Sequence, residues 1–446
     1  MNMAHKRGKL SKLIKGVAKA TAAILLTTTV MISCKSEKEK EPIAKAMEQI
    51  DSLFTERYKP LDTLFAEPGG AVLIMKKDSV LFDKGYGHYD IARRYKIDGN
   101  TSFNIASCSK QFTAAAILLM DDEGMLNINN SIYDISPEIL PYLPAKKEPF
   151  TKITPAHLMS HSSGIADLRP RTDMNFMLYC TDMQSIEYIK KLEQLNFEPG
   201  TEYEYINPTY QLLYLVIEKL SGKSFDEYMK ERIFTPARMF STHYFSANGE
   251  YAIPNMAHGY ILDTPEDEKA STDSDKPQGA ASVAATTKAA QNSDKAANSS
   301  KGPTPKFKEC DYGEETFFAT KADGGIYCST RQYANWIKAL RDNKVITQRQ
   351  KDKAWSFVNK VSGSKFSNYQ NRENTYYGLG WFLELQQGYP LKVYHTGDNG
   401  GFQIYGGYFP SADVAVIVFE NRNDKDRWSM VQQIDKILQQ ANLLED

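Results

Sequence analysis

The sequence predicts an α+β fold in which both ends of the chain build one sheet and a mostly helical subdomain is inserted between them. Three observations carry this: strand and turn patterning over 70–89, helical patterns broken by Pro, Gly and Asn from about 125 to 240, and strands returning over 394–420 before a last amphipathic helix. The 446 residues, 41% hydrophobic and 24% charged, suffice for one large core or two to three ordinary ones. Wholesale disorder and a collagen-like fibre are excluded.

The first 33 residues read as an address. Lys6, Arg7, Lys9, Lys12, Lys15 and Lys19 precede an apolar run over 20–33 that is too short to span a bilayer as a stable helix, and Cys34 follows directly. A charged linker, KSEKEKE over 35–41, comes next. This order resembles a bacterial lipoprotein signal, which implies a lipid anchor on Cys34 and a cell-envelope location, with 34–42 as tether and 43–446 as the folded domain. Without those six cations the balance is 48 basic against 55 acidic residues, a net of −7, so nucleic acid is not an expected partner. Five cysteines without CxxC spacing argue against a zinc ribbon or a disulfide-stapled domain.

Ile43, Met47, Ile50 and Phe54 recur at helical spacing and predict a helix ending near Pro60. Ala71 to Met75, a polar turn at Lys76 to Ser79, and Val80 to Phe82 predict a hairpin. Ser107 to Glu123 holds good helix formers, apolar on most positions and stopped by Gly124, so it predicts a buried helix. Between 263 and 306 the only large aliphatic side chain is Val283, which predicts a disordered surface insertion. Trp428, Val431, Ile434, Leu438 and Ala441 mark the last helix.

Three sequence elements carry chemistry. Ser107 and Lys110, three apart at the start of a buried helix, set a hydroxyl beside an amine on one face. Burial disfavours the lysine charge, and a helix N-terminus offers N–H groups to an oxyanion. Ser362 and Lys365 share the spacing in a polar setting, so the pattern alone is weak. Tyr205 and Asn207, two apart on an irregular loop, offer a phenol and an amide; Tyr333/Asn335 and Tyr369/Asn371 repeat that spacing. His395-Thr396-Gly397, followed by Asp398, occurs once. On a strand His395 and Gly397 share a side, and glycine admits a close substrate backbone.

In this order the three elements resemble the serine β-lactamase and penicillin-binding family, within it the class C β-lactamase-like hydrolases. The flanks agree: Pro68-Gly69-Gly70, Phe103-Asn104-Ile105-Ala106, Ser160-His161-Ser162-Ser163-Gly164, Pro199-Gly200-Thr201, Gly324-Gly325 and Tyr377-Gly378-Leu379-Gly380-Trp381. The resemblance implies a central antiparallel sheet flanked by helices, as in β-lactamases and transpeptidases. It implies Ser107 as acylated nucleophile, Lys110 as its proton partner and Tyr205 as general base or relay. Asn207, His395, Thr396, Gly397 and Asp398 would bind substrate, the last through its backbone N–H in an oxyanion hole with that of Ser107. Tyr and Lys normally titrate near 10 and 10.4, so one of the pair must move down by about three units to act at neutral pH. No cofactor or metal is expected.

His395 stands where the resistance enzymes carry lysine, so a fixed cation for a substrate carboxylate is missing and efficient antibiotic hydrolysis is not expected. Ile206 replaces the usual serine between Tyr205 and Asn207. His157 and His161, four apart, read as structural because no third metal ligand is evident. Cys108 reads as a small core residue. The leading expectation is a tethered serine hydrolase acting on a small or short-peptide substrate, D-alanyl cell-wall peptides first. The alternatives are an esterase or weak β-lactamase, a catalytically silent binding paralogue, and a binding lipoprotein whose motifs are coincidental and lie apart in space.

Overall fold

The structure, a computed structural model, describes residues 41–245, 253–262, 307–310 and 320–445. The lipoprotein-type leader and the 263–306 segment lie outside the described residues. The main sheet contains β1 (Gly70–Lys76), β2 (Ser79–Tyr86), β3 (Asn359–Lys360), β4 (Thr375–Tyr377), β5 (Phe382–Glu384), β6 (Lys392–Asn399), β7 (Phe402–Phe409) and β8 (Val414–Glu420). Their spatial order is β3-β4-β5-β6-β7-β8-β1-β2. Every neighbouring pair is antiparallel.

The amino-terminal hairpin closes on the carboxy-terminal meander by pairing Gly70 with Glu420 through Lys76 with Val414. β1 is apolar without alternation because both sheet faces are covered. Val72, Ile74, Val416 and Val418 face α1 (41–57) and α5 (Arg427–Gln440), where Ile50, Phe54, Val431, Ile434 and Leu438 meet them. Leu73, Met75, Ile417 and Phe419 face the other layer, formed by α2 (Lys110–Asp122), α3 (Pro208–Ser221) and α4 (Thr330–Arg341). Phe112 of α2 stacks on Trp336 of α4 there, with ring centroids 4.3 Å apart.

The predicted helical region holds short helices around α3, among them Pro155–Met159 and Asp182–Ile189. α3 starts on Pro208 and ends on Gly222 in the left-handed conformation (φ 67°), the expected punctuation for a helix of this length. A second, three-stranded sheet joins Phe103–Asn104 to Ile326–Cys328 and His243–Tyr244. It fixes the chain immediately before Ser107. The short strands β3, β4 and β5 were not legible in the sequence.

Candidate active site

The hydroxyl of Ser107 is presented by a tight turn. Asn104 Oδ1 accepts the N–H of Ala106 at 2.8 Å, Ala106 takes φ 46°, and a 3-10 turn over Ala106–Ser109 runs straight into α2. A left-handed alanine is an unusual conformation, held here by the asparagine and by β6 packed across it. A side chain on Gly397 would put a Cβ 2.3 Å from the Ile105 carbonyl oxygen and 2.9 Å from Ala106 Cβ. Glycine at 397 is therefore required by the serine turn itself, a correction to the expectation that it makes room for substrate. Cys108 is fully buried, with Sγ 3.4 Å from the His395 carbonyl oxygen, and burial pushes its thiol pKa up.

Lys110 is fully buried. Its Nζ reaches Ser107 Oγ at 3.1 Å, Asn207 Oδ1 at 2.9 Å and the Asp323 carbonyl oxygen at 2.8 Å. Desolvation lowers its pKa from 10.5 to about 8, aided by the Arg169 cation and opposed by Asp323. The neutral amine has two N–H donors and one lone pair. The amide and carbonyl oxygens can only accept, so they take the two donors and the lone pair is left facing the one partner able to donate, the Ser107 hydroxyl. This places a base opposite a nucleophile.

Tyr205 completes the group. Its ring centroid lies 5.1 Å from Lys110 Nζ, and its hydroxyl is near enough to Ser107 for that side chain to favour the phenolate slightly. His161 lies against that ring at 4.1 Å, and Phe382 stacks near parallel at 6.3 Å. Burial pushes the phenol well above its usual pKa of 10. Of the two candidates for a downward shift, the lysine moves and the tyrosine does not, because desolvation opposes charge on both and that means opposite directions for an amine and a phenol. Tyr205 is thus a phenol that donates and accepts rather than a standing phenolate.

The expectation that His395 lines the substrate face is corrected. It is fully buried, its Nδ1 donates to the Thr396 carbonyl at 2.7 Å, and its Nε2 accepts from the Tyr377 hydroxyl at 3.0 Å. The backbone carbonyl can only accept, which fixes the tautomer. Desolvation and the nearby Lys110 charge hold its pKa down at about 3, so it is neutral at any working pH. Thr396, next along β6, is buried as well. The side chain of Asp398 is committed to a two-pronged pair with Arg427, 2.9 Å on each oxygen. Arg427 also donates to the Gly397 carbonyl at 3.3 Å. That carbonyl and the Asp398 N–H belong to one planar trans peptide, so the N–H points away from Arg427. Beyond Tyr394, β5 no longer pairs with β6.

Ser107, Lys110, Tyr205 and Asn207 therefore converge, whereas the competing motifs do not. Lys365 is exposed against the Phe366 ring. Tyr333 and Asn335 sit on α4, where residues two apart diverge, and bond to Gln111 and to the Arg238 carbonyl. Tyr369 packs edge-on to Tyr205 at 6.0 Å as a wall of the crevice. Sequence reasoning missed Asp323, Arg427 and Tyr377 as functional partners. Only Tyr377 had a signal, in the glycine-flanked run 377–381. A polar hollow of 630 Å³ lined by Asn130, Asp134, Arg349 and Lys353 lies apart from these residues, and its cations are paired, Arg349 with Asp122 and Lys353 with Asp121.

A model of the family described as Beta-lactamase matches residues 59–439. The chain is similar to Protein flp of Staphylococcus aureus (strain NCTC 8325 / PS 47), 30% identical over 196 residues, which is 44% of this chain and 38% of that one. The match thus spans well under half of that relative. Among solved structures it is similar to the octameric penicillin-binding protein homologue from Pyrococcus abyssi, with a TM-score of 0.65, 23% identity and coverage of 90% of this chain and 77% of that one. It is also similar to the D-amino acid amidase from Ochrobactrum anthropi SV3, with a TM-score of 0.64, 18% identity and coverage of 90% and 99%. Both structural likenesses concern the fold, an α+β arrangement around one antiparallel sheet.

Proposed function

We propose, from the premise that the chain belongs to the Beta-lactamase family, that it is a serine hydrolase that forms an acyl-enzyme on Ser107 and acts on peptide, amide or ester bonds. D-alanyl-type cell-wall peptides rank first, short esters second and β-lactams last. The observation that carries this reading is the buried Lys110 amine with two obligate acceptors and the Ser107 hydroxyl as its third partner.

In the acylation step Ser107 Oγ attacks the carbonyl carbon while its proton passes to Lys110 Nζ. The carbonyl oxygen becomes an oxyanion, received by the backbone N–H groups of Ser107 and Asp398. On collapse the bond to the leaving group breaks. The Tyr205 hydroxyl donates its proton to the departing nitrogen or oxygen and regains one from the Lys110 ammonium. Water then attacks the ester on Ser107 and gives a proton to the same pair; as the Ser107–acyl bond breaks, the pair returns that proton to Ser107 Oγ and the acid departs. Asn207 Oδ1 is occupied by Lys110, so its Nδ2 donors are the part that serves a substrate carbonyl. His395 supports this centre from below as a neutral hydrogen-bonded ring.

The test is intact-mass analysis of the protein recovered from cell envelopes and treated with a fluorophosphonate. One adduct is expected, mapped by peptide digestion to Ser107. The absence of an adduct would favour a silent binding protein instead. The same spectrum reads the proposed anchor: Cys34 as a lipidated first residue is expected, on the strength of the cationic, apolar and cysteine order at 6–34. An unmodified mass that includes residues 1–33 would sink the anchor alone.

A further inference from the structure

Tyr205 sits on an irregular stretch just before α3, where neither a strand ladder nor a helix holds it. A phenol that relays a proton must still be fixed to within about half an ångström. His161 meets this stretch at three points. Its carbonyl oxygen accepts the Glu204 N–H at 2.9 Å, its Nδ1 faces the Ile206 N–H at 3.4 Å, and its ring lies 4.1 Å from that of Tyr205. Both chain neighbours of the tyrosine are thus tied to one residue while the tyrosine ring rests on that residue's side chain. His161 is fully buried and takes a left-handed φ of 57°, a conformation few side chains enter readily.

The hydrogen bonds fix what the imidazole contributes. The Ile206 N–H can only donate, so Nδ1 accepts and the ring proton lies on Nε2. Thr209 Oγ1, 3.4 Å from the same nitrogen, donates its one proton to the Ile206 carbonyl at 3.0 Å and does not compete. Nε2 is buried without a protein partner among the described residues. A phenyl ring would fill this place without stranding a donor, so packing alone disfavours histidine here, and the Nδ1 acceptor is what the imidazole adds. Burial, with the Lys110 charge nearby, holds the imidazole pKa well below 6.5, so the acceptor persists at neutral pH.

We propose that His161 is the positioning residue of Tyr205, clamping the chain on both sides of it and setting its phenol against Lys110 and Ser107. The assignment rests on the hydrolase reading above and adds to it a residue that acts only through the phenol.

The test is steady-state turnover of a D-alanyl anilide and of a D-alanyl nitrophenyl ester by the full chain. His161→Phe keeps a ring and removes the acceptor. It is expected to lower anilide turnover at least about ten-fold, with KM little changed and with the same anilide-to-ester pattern of losses as Tyr205→Phe. In the Tyr205→Phe background it should cost less than about two-fold more, because the group it positions is already gone. His161→Asn, whose Oδ1 takes the place of Nδ1 and which tolerates a left-handed φ, should recover most of the loss. Losses that multiply in the Tyr205→Phe background, a substrate pattern unlike that of Tyr205→Phe, or an asparagine variant no better than the phenylalanine one would each overturn the proposal. Should the variants unfold, or the unsubstituted chain not turn over the anilide, nitrogen NMR of the histidines in the unsubstituted chain decides. A neutral His161 with its proton on Nε2 at a pH of about 7 supports the clamp, and a proton on Nδ1 or a charged ring overturns it. Fluorophosphonate labelling reads the hydrolase proposal separately: its absence sinks that reading, whereas normal labelling beside any of the overturning results sinks the His161 assignment alone.

Discussion

Lys110→Met lowers the rate of Ser107 acylation by about a thousand-fold, within the range expected for loss of a positioned general base. Methionine matches the length and apolar stem of lysine but has neither lone-pair basicity nor charge. The change takes a buried amine out of a site where its charged form is already disfavoured. It leaves Asn207 Oδ1 and the Asp323 carbonyl without a donor, at about 1–3 kcal/mol each, partly offset by the removed desolvation cost of the amine. The expected outcome is a folded protein, with circular dichroism unchanged, that a fluorophosphonate labels slowly. Labelling at the unsubstituted rate would remove Lys110 from the mechanism.

Tyr205→Phe removes one oxygen and keeps the ring that packs on His161 and Phe382. Loss of its proton relay is expected to reduce amide turnover by about a hundred-fold. The effect should depend on the leaving group. An amine must be protonated as it departs, whereas a nitrophenolate leaves without help, so a nitrophenyl ester should lose much less than an anilide. Steady-state kinetics on the two substrates reads this directly. Equal losses on both would make Tyr205 a base for Ser107 instead of a donor to the leaving group.

The parts of the site legible in the sequence are those set by short spacing. Ser107 and Lys110 are three apart at the head of α2, and helical geometry alone puts them together. The hairpin over 70–86 and the helix over Arg427–Gln440 were legible for the same reason, since periods of two and of 3.6 are local properties. What the sequence hid is long-range. The carbonyl of Asp323 reaches Lys110 across 213 positions, and Arg427 meets Asp398 by packing of α5 on the end of β6.

His395 shows where motif reasoning misleads. Strand alternation says that His395 and Gly397 share a side, but not which partner that side meets. The Ile105–Ala106 backbone fills the space that a substrate was expected to use, and the histidine turns into an aromatic pocket with Tyr377. Short strands such as β3 and β5, two and three residues long, carry too few positions for a period to register. The direction of the lysine and tyrosine shifts, by contrast, follows from burial alone and needed only the knowledge that both side chains are enclosed.

The account turns on the neutral fraction of Lys110, which holds its lone pair toward Ser107 and grows toward a midpoint of about 8, and the pH dependence of fluorophosphonate labelling tests this most directly. Lowering of the lysine pKa means that the active, neutral amine grows as pH rises. The labelling rate should therefore climb about ten-fold per unit below the midpoint and level off above a pH of about 8. His395, neutral throughout, should add no second step between pH 5 and 8. A rate that stays flat from pH 6 to 9, or one still rising at pH 10 as an ordinary solvated lysine would give, would contradict the claim.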